Sequence, residues 1–395
     1  MRAAHVVVNF WRLRSPLANN KLHCQVGQGR LITNCAKCYC SQKFMRREDV
    51  KGQNEGRLKR LLGRVQGGDR GSLAEAITLV ETTHAGKKLM AKEMLEAILI
   101  ENSKKGETKS LRIGLSGPPG AGKSTFIEIF GKSLTKMGKK VAVLAVDPSS
   151  ATTGGSLLGD KTRMPELTRD MNAYIRPSPA RGHLGGVTRS TNEVILVCEY
   201  AGYDVIIVET VGVGQSEYAV SNMVDIFVVL IPPGGGDELQ GVKRGIVERA
   251  DILLVTKCDG DLKNAAHRTQ YEYQSSLKFM RPSNPNWKTK VLGVSAKTSE
   301  GFDEFWQEIL NYQKATEETF ASKRAHQRVI WTWTHVQDGL QQFIMEDLDL
   351  KSKTDQLIHQ VEGGLVNPGT AADKIISFFT SHLVNNSNSN SDKIN

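Results

Sequence analysis

The chain has 395 residues, 39% of them hydrophobic and 24% charged, which is the composition of a globular protein with one large α/β domain plus additions. Its apolar runs have the length of strands, and none approaches the roughly 18 apolar residues that a membrane span needs. The net charge of +10 belongs to the first 47 residues, because the remaining chain has 43 basic and 42 acidic residues. A nearly neutral body gives no reason to expect a nucleic-acid partner.

The first 47 residues contain nine Lys or Arg, no Asp or Glu, and interspersed apolar residues. This pattern is typical of a mitochondrial transit peptide and predicts a mature protein in the mitochondrial matrix. The alternative is a basic arm that stays on the protein and binds an acidic partner. Cys35, Cys38 and Cys40 have the spacing of half a zinc site, but no second Cys/His pair follows, so incidental cysteines in a removed leader are the simpler interpretation.

Residues 48–109 show apolar residues at three- and four-residue spacing, which predicts helices broken near Gly67-Gly68 and His84–Lys88. From 110 to 310 short apolar strands alternate with helical stretches such as Ser124–Met137 and Glu193–Ala201. This alternation predicts an α/β fold with a doubly wound, mainly parallel sheet that places ligands at the carboxyl ends of its strands. The predicted strands are Leu111–Leu115, Val141–Val146, Val205–Val208, Ile226–Leu230, Ile252–Val255 and Lys290–Val294.

Residues 311–384 are again predicted to be helical, with large apolar residues that include Trp331 and Trp333. The segment is too thin to form its own core, so it packs back on the sheet domain or pairs with another subunit. Residues 385–395 are rich in Asn and Ser, which predicts a disordered tail.

A phosphate-binding loop is predicted between the first strand and the helix after it. The segment matches G-x-x-x-x-G-K-[ST], in which glycines let backbone N–H groups wrap the phosphates. Lys123 is predicted to reach the β- and γ-phosphates, and Ser124 to be a ligand of Mg²⁺. The nucleotide-binding residues predicted here are Gly117, Pro118, Pro119, Gly120, Ala121, Gly122, Lys123, Ser124 and Thr125.

Two later segments favour GTP over ATP. Thr256-Lys257-Cys258-Asp259 is similar to the N-K-x-D signature, in which the Asp accepts from guanine N1–H and the N2 amino group, a donor pair that adenine lacks. Thr256 replaces the usual Asn, which weakens the match and puts the tightness of guanine binding in question. Ser295-Ala296-Lys297 follows the next strand, as the S-A-K loop that backs the same base does.

Acidic residues at strand ends are candidates for the metal and for hydrolysis. Glu209 closes the predicted strand Val205–Val208, where GTPases usually place D-x-x-G, and Asp147 ends the strand after the phosphate-loop helix. Three Gly-rich polar loops, at 152–164, 212–217 and 234–243, are typical of switches that respond to the γ-phosphate. Within them Gln215 is a candidate for positioning water, and Arg163 or Lys243 for neutralising developing charge.

One further Gly-rich segment, Arg181–Gly186, leaves alternatives open. His183 in this segment is either a ligand or base or, more simply, a structural histidine.

Taken together, these segments resemble the MeaB/ArgK-type GTPases over about residues 56–345. The resemblance implies a homodimeric GTPase, binding GTP or GDP with Mg²⁺, that acts as a chaperone of methylmalonyl-CoA mutase and gates adenosylcobalamin loading. It also implies a helical N-terminal part and a C-terminal dimerisation arm. By motif position it assigns metal and hydrolysis roles to Asp147, Asp160 and Glu209, and partner-linked roles to Gln240 and Lys243.

Other functions are compatible with the same phosphate loop. A small-molecule kinase would transfer the γ-phosphate to an acceptor, but no Arg-rich acceptor segment is evident. A nickel- or cobalt-insertion GTPase usually carries Cys/His ligands near its switches, whereas only Cys198 and Cys258 occur after residue 47. A nucleotide-gated binding module would leave GTP intact.

Overall fold

A computed structural model describes residues 47–82, 84–106, 110–146, 163–177, 184–210, 215–234, 244–280 and 284–391. Most of them belong to one compact unit, 50–382. Its centre is a sheet of seven strands among the described residues, all parallel, in the order β3-β2-β4-β1-β5-β6-β7. The strands are β1 Leu111–Ser116, β2 Val141–Val146, β3 Ala173–Pro177, β4 Val205–Thr210, β5 Ile226–Ile231, β6 Ile252–Val255 and β7 Lys290–Gly293.

Helices cover both faces of this sheet, which confirms the predicted doubly wound α/β fold. Strands β1, β2, β4, β5 and β6 are buried along their whole length, and most of their residues are apolar because both faces of the sheet are covered. The helices are α1 Arg47–Gln66, α2 Arg70–Val80, α3 Ala85–Lys105, α4 Lys123–Lys136, α5 Pro165–Arg169, α6 Leu184–Tyr200, α7 Gln215–Ser221, α8 Arg244–Val247, α9 Lys263–Leu277, α10 Phe302–Glu346, α11 Leu348–Glu362 and α12 Pro368–Ser391.

The predicted elements of the sheet domain agree with the observed ones at most positions, and two differences are β3 and the start of α6. Strand β3 was not predicted, because Ala173–Pro177 is a short run that carries Arg176 and ends in proline, as only an edge strand tolerates. Helix α6 begins at Leu184, nine residues before the predicted start at Glu193. The glycines at 185 and 186 therefore lie in the first turn of a helix, not in a loop.

Helices α1 to α3 form the predicted N-terminal helical part. The breaks fall where expected, with α2 capped by the Asp69 side chain, which accepts from the backbone N–H of Gly71 and Ser72. Ile77, Met94 and Ile98 are fully buried in the same apolar core as α6 and strands β2 and β4. This helical part is therefore packed on the sheet and does not form a separate core.

Helix α10 joins the sheet domain to the C-terminal helices without interruption. It spans 45 residues and passes through the predicted domain boundary at 310/311. Its Arg324 side chain binds Asp225 through two bonds of 2.8 and 2.6 Å, and both side chains are buried. Glu199 of α6 lies 3.5 Å from the same arginine and pairs with Arg112 of β1 at 2.7 Å. A buried ionic cluster thus holds α10 on the sheet.

Beyond this cluster, α10 carries an exposed apolar seam. The side chains are 37% to 63% exposed and recur at alternating four- and three-residue spacing, which is the pattern of a coiled-coil face. The seam consists of Val329, Trp333, Val336, Leu340 and Phe343.

The C-terminal helices pack partly on α10. Phe343 meets Phe379 edge to face, and His382 of α12 lies 3.2 Å from the Asp347 carboxylate that caps α11. The prediction of a disordered tail from residue 385 is wrong for 385–391, which continue α12; the helix extends a preceding apolar stretch into a segment of low helix propensity. Among the described residues, no helix has both the length and the apolar character needed to cross a membrane.

Candidate functional site

The loop between β1 and α4 has a backbone that only glycine accommodates. Gly117 has φ of 151°, and a β-carbon there would lie 2.5 Å from the carbonyl oxygen of Leu230 on β5. Gly120 and Gly122 have φ of 80° and 88°, in the left-handed region. The turn aims the N-terminus of α4, with its unpaired N–H groups, at the carboxyl ends of the strands, where a phosphate binds.

Lys123 opens α4, and its side chain folds along the same loop. Its ammonium group donates to the carbonyl oxygens of Gly117 at 2.6 Å and Pro118 at 3.1 Å. Burial lowers the pKa of this ammonium, whereas the carboxylates of Glu209 and Glu217 raise it. A buried cation is therefore held by the loop at the place where phosphate charge would gather.

Ser124 and Glu209 bring two hard oxygen ligands together beside this lysine. The Ser124 hydroxyl lies 3.5 Å from Oε1 of Glu209, which is buried in β4. The next residue, Thr210, donates to the Ser116 hydroxyl at 3.1 Å, and this fixes the end of β4 against the end of β1. A hydroxyl paired with a carboxylate at a phosphate loop suits Mg²⁺, which prefers such oxygens.

Thr256 links the phosphate loop to the candidate guanine loop. Its hydroxyl donates to the carbonyl oxygen of Ala121 at 2.8 Å, and its backbone N–H donates to Ile231 at 2.9 Å. The threonine is buried at the end of β6. The residue that weakens the sequence match thus keeps a hydrogen-bond donor on the loop, and this could have been anticipated from its hydroxyl.

Asp259 is held in place by the second guanine segment. The Ser295 hydroxyl donates to Oδ1 of Asp259 at 2.8 Å, which leaves the other carboxylate oxygen to accept from a base. Cys258 N–H donates to the Val294 carbonyl at 3.1 Å and ties the two loops together. Lys257, which is exposed, has φ of 56°, a conformation that costs a non-glycine residue energy and is common at ligand sites.

The remaining predicted residues are placed as follows. Pro118 and Ala296 are half-buried, and Pro119, Thr125 and Lys297 are exposed on the same loops. Gln215 is the first residue of α7, directly after 211–214. Asp147, Asp160, His183, Gln240 and Lys243 lie outside the described residues.

Two acidic residues near the site were not singled out from the sequence. Glu217 is buried on α7 and acts electrostatically on Lys123. Glu128 is buried on α4, five residues after that lysine. Glu217 could have been found from its place two residues after Gln215 in a Gly-rich segment. No motif marks Glu128.

A parallel sheet, a glycine-shaped phosphate loop and an adjacent Asp/Ser guanine pair define a P-loop GTPase. The family model of the methylmalonyl-CoA mutase-associated GTPase MeaB matches residues 73–349. The chain belongs to the MeaB family of P-loop GTPases.

Relatives and solved structures agree with this membership. A mouse protein named methylmalonic aciduria type A homolog, mitochondrial, is 45% identical, and the alignment covers 94% of this chain and 95% of that protein. The Escherichia coli GTPase ArgK is 42% identical over 82% of this chain and 97% of its own length. The crystal structure of an LAO/AO transport system kinase superposes with a TM-score of 0.66 at 34% identity, covering 82% of this chain and 98% of that one.

Proposed function

We propose that this GTPase is a chaperone of methylmalonyl-CoA mutase that uses GTP hydrolysis to gate adenosylcobalamin loading and to protect the mutase from inactivation. The match to a family described as mutase-associated, over residues 73–349, carries the proposal. The relation to a mouse protein named for methylmalonic aciduria supports it. The glycine-shaped phosphate loop and the Asp259–Ser295 pair support GTP as the nucleotide.

The chain's own residues would act on GTP in distinct ways. The backbone N–H groups of Gly117–Thr125 would bind the phosphates, and Lys123 would move its ammonium from the loop carbonyls to the phosphate oxygens. Asp259 would select guanine by accepting from its N–H groups, with Ser295 holding the carboxylate. Glu209 and Gln215, with Asp160 and Lys243, are our candidates for orienting water and stabilising charge in the transition state.

We propose Ser124, Asp147, Asp160 and Glu209 as the residues that hold Mg²⁺. The close approach of the Ser124 and Glu209 oxygens supports this donor set. When bound, the ion would neutralise negative charge on the phosphates.

We also propose that the protein is a homodimer whose contact includes the α10 seam. A helix face with five large apolar residues at coiled-coil spacing needs a covering surface, and a second copy of the same face is self-complementary. This role would make 311–384 the dimerisation region.

The basic, acid-free segment 1–47 supports import into the mitochondrial matrix. Two relatives, from mouse and Caenorhabditis elegans, are named as mitochondrial. Detection of the endogenous protein in a matrix fraction, shortened at its N-terminus, is the expected result; a full-length protein outside mitochondria would refute the assignment.

A second candidate function is that of a small-molecule kinase. One observation favours it, the superposition on a structure titled as a transport system kinase. The two functions differ in the fate of the γ-phosphate, which a kinase transfers to an acceptor and a GTPase releases as inorganic phosphate.

The mutase assignment is tested with purified mutase from the same source. We expect the two proteins to co-elute on gel filtration and adenosylcobalamin transfer to the mutase to require a hydrolysable nucleotide. A Lys123→Ala variant is the control that should bind no phosphate and support no gated transfer. The proposal would be refuted if no complex forms and cofactor loading is the same with and without nucleotide.

A further inference from the structure

Glu128 caps a helix to which it does not belong. Its buried carboxylate accepts from the backbone N–H of Glu166 at 2.8 Å and from that of Leu167 at 3.3 Å. Both donors lie in the first turn of α5, whose own N-cap residue, Met164, provides no side-chain hydrogen bond. The carboxylate on α4 therefore satisfies N–H groups that a Ser or Asp at position 164 would normally satisfy.

The packing around this cap brings α5 unusually close to α4. A β-carbon at Gly131 would lie 2.6 Å from Cδ2 of Leu167, so a larger residue there would force the Leu167 side chain to shift. Leu167 is fully buried, and Lys132 forms an ion pair with Glu166. Positions 128, 131 and 132 share one face of α4, and this face meets Glu166 and Leu167 of α5.

This anchor fixes the first turn of α5, which begins two residues after Arg163. Arg163 precedes the fully buried N-cap residue Met164. Lys123 and Glu128 are five residues apart on α4, a rise of about 7.5 Å. Burial lowers the pKa of Lys123, and the positive charge of Arg163 adds to that lowering. The guanidinium therefore stands within electrostatic reach of the phosphate-binding lysine.

Capping a helix of five residues with a buried carboxylate costs free energy, because the charged group loses its hydration. Burial raises the pKa of Glu128, and the hydrogen bond from Leu167 opposes that shift. A local cap would stabilise α5 at lower cost but would not tie it to the phosphate-loop helix. The Glu128 carboxylate, in contrast, connects α5 to α4.

We propose that Glu128 is a positioning residue for GTP hydrolysis, which acts by holding α5 on α4 and thereby keeping Arg163 at the phosphate end of the site. The inference rests on the proposed hydrolysis of GTP and involves no mutase.

The test compares two variants at one position. Glu128→Ala removes the acceptor, and we expect kcat for GTP to fall about tenfold while the Kd for GDP stays within twofold. Glu128→Gln keeps an acceptor oxygen and should restore most of the rate. Lys136→Ala, which removes an exposed lysine in the last turn of the same helix, is the control and should change kcat less than twofold. An unchanged kcat in a folded Glu128→Ala variant would overturn the proposal.

Two further measurements separate positioning from simple loss of stability. Ser110→Ala removes a buried hydrogen bond to Tyr203 and should lower the unfolding midpoint without lowering kcat. Adding Glu128→Ala to Arg163→Ala should slow hydrolysis no further, because the effect passes through Arg163. A double variant whose loss of rate is the product of the two single losses would overturn the proposal.

Should Glu128→Ala not fold, Glu128→Asp, whose side chain is shorter by one methylene, should show the same loss. A wild-type protein that hydrolyses no GTP would refute the proposed function instead.

Discussion

The Thr256 hydroxyl donates a 2.8 Å hydrogen bond to the carbonyl oxygen of Ala121, and this bond joins the candidate guanine loop to the phosphate loop. Both residues are buried, so the two halves of the nucleotide site share one internal contact. Base recognition and phosphate binding are therefore expected to depend on each other.

Removing this contact should weaken nucleotide binding. Thr256→Val keeps the shape but leaves the Ala121 carbonyl without its donor, which costs about 1–3 kcal/mol. We expect GDP affinity to fall about tenfold in calorimetric titration, since 1.4 kcal/mol corresponds to a factor of ten. Thr256→Ser retains the hydroxyl and is the control. Wild-type GDP affinity in the valine variant would show that the contact is dispensable.

The Asp259 carboxylate should decide the choice of base. In Asp259→Asn an amide group replaces an acceptor that faces guanine N–H donors, so GTP affinity should drop by at least tenfold while ATP affinity stays weak. Competition against a fluorescent GDP analogue measures both. Asp261→Asn, an exposed neighbour, serves as the control. Retention of the full GTP preference by Asp259→Asn would contradict the guanine assignment.

The buried ionic cluster should make Arg324 important for stability. Arg324→Leu would leave the buried Asp225 carboxylate without its two-bond partner, and removing one member of a buried pair costs about 3–5 kcal/mol. Denaturant unfolding followed by circular dichroism measures the loss. Arg328→Leu, on the exposed face of the same helix, should change stability by less than about 1 kcal/mol. Equal effects of the two substitutions would argue against the cluster as an anchor.

The α10 seam should control the oligomeric state. Leu340→Glu places a charge in the middle of the apolar face, so we expect a monomer in light scattering while GDP binding persists. Gln337→Glu adds the same charge at an exposed polar position and should leave the dimer intact. A Leu340→Glu protein that remains dimeric would place the interface elsewhere.

Much of the fold and the centre of the candidate site could be predicted from sequence because they depend on short-range patterns. The apolar runs gave six of the strands, and the phosphate-loop spacing placed Lys123 at the start of α4. Strand β3 was missed because its pairing with β2 is a tertiary effect that a five-residue run does not reveal. The C-terminal boundary was misplaced for a similar reason, since α10 is one continuous helix whose anchor, Arg324, pairs with a residue 99 positions away.

The contacts that support the site could be predicted from the sequence less well than its motifs. Glu128 belongs to no recognisable pattern, and its partners lie 38 and 39 residues away in a helix of five residues. Thr256 stands where the N-K-x-D signature has Asn, and this departure is visible in the sequence. Its consequence, a donor aimed at Ala121, depends on the packing of β6 beside the phosphate loop.

Single-turnover hydrolysis of γ-labelled GTP, with and without saturating methylmalonyl-CoA mutase, tests the central claim most directly. We expect all label to appear as inorganic phosphate, at least tenfold faster with mutase, and none to be released by Lys123→Ala. Equal rates with and without mutase, or label transferred to another acceptor, would contradict the assignment of this site as a GTP-driven switch for the mutase.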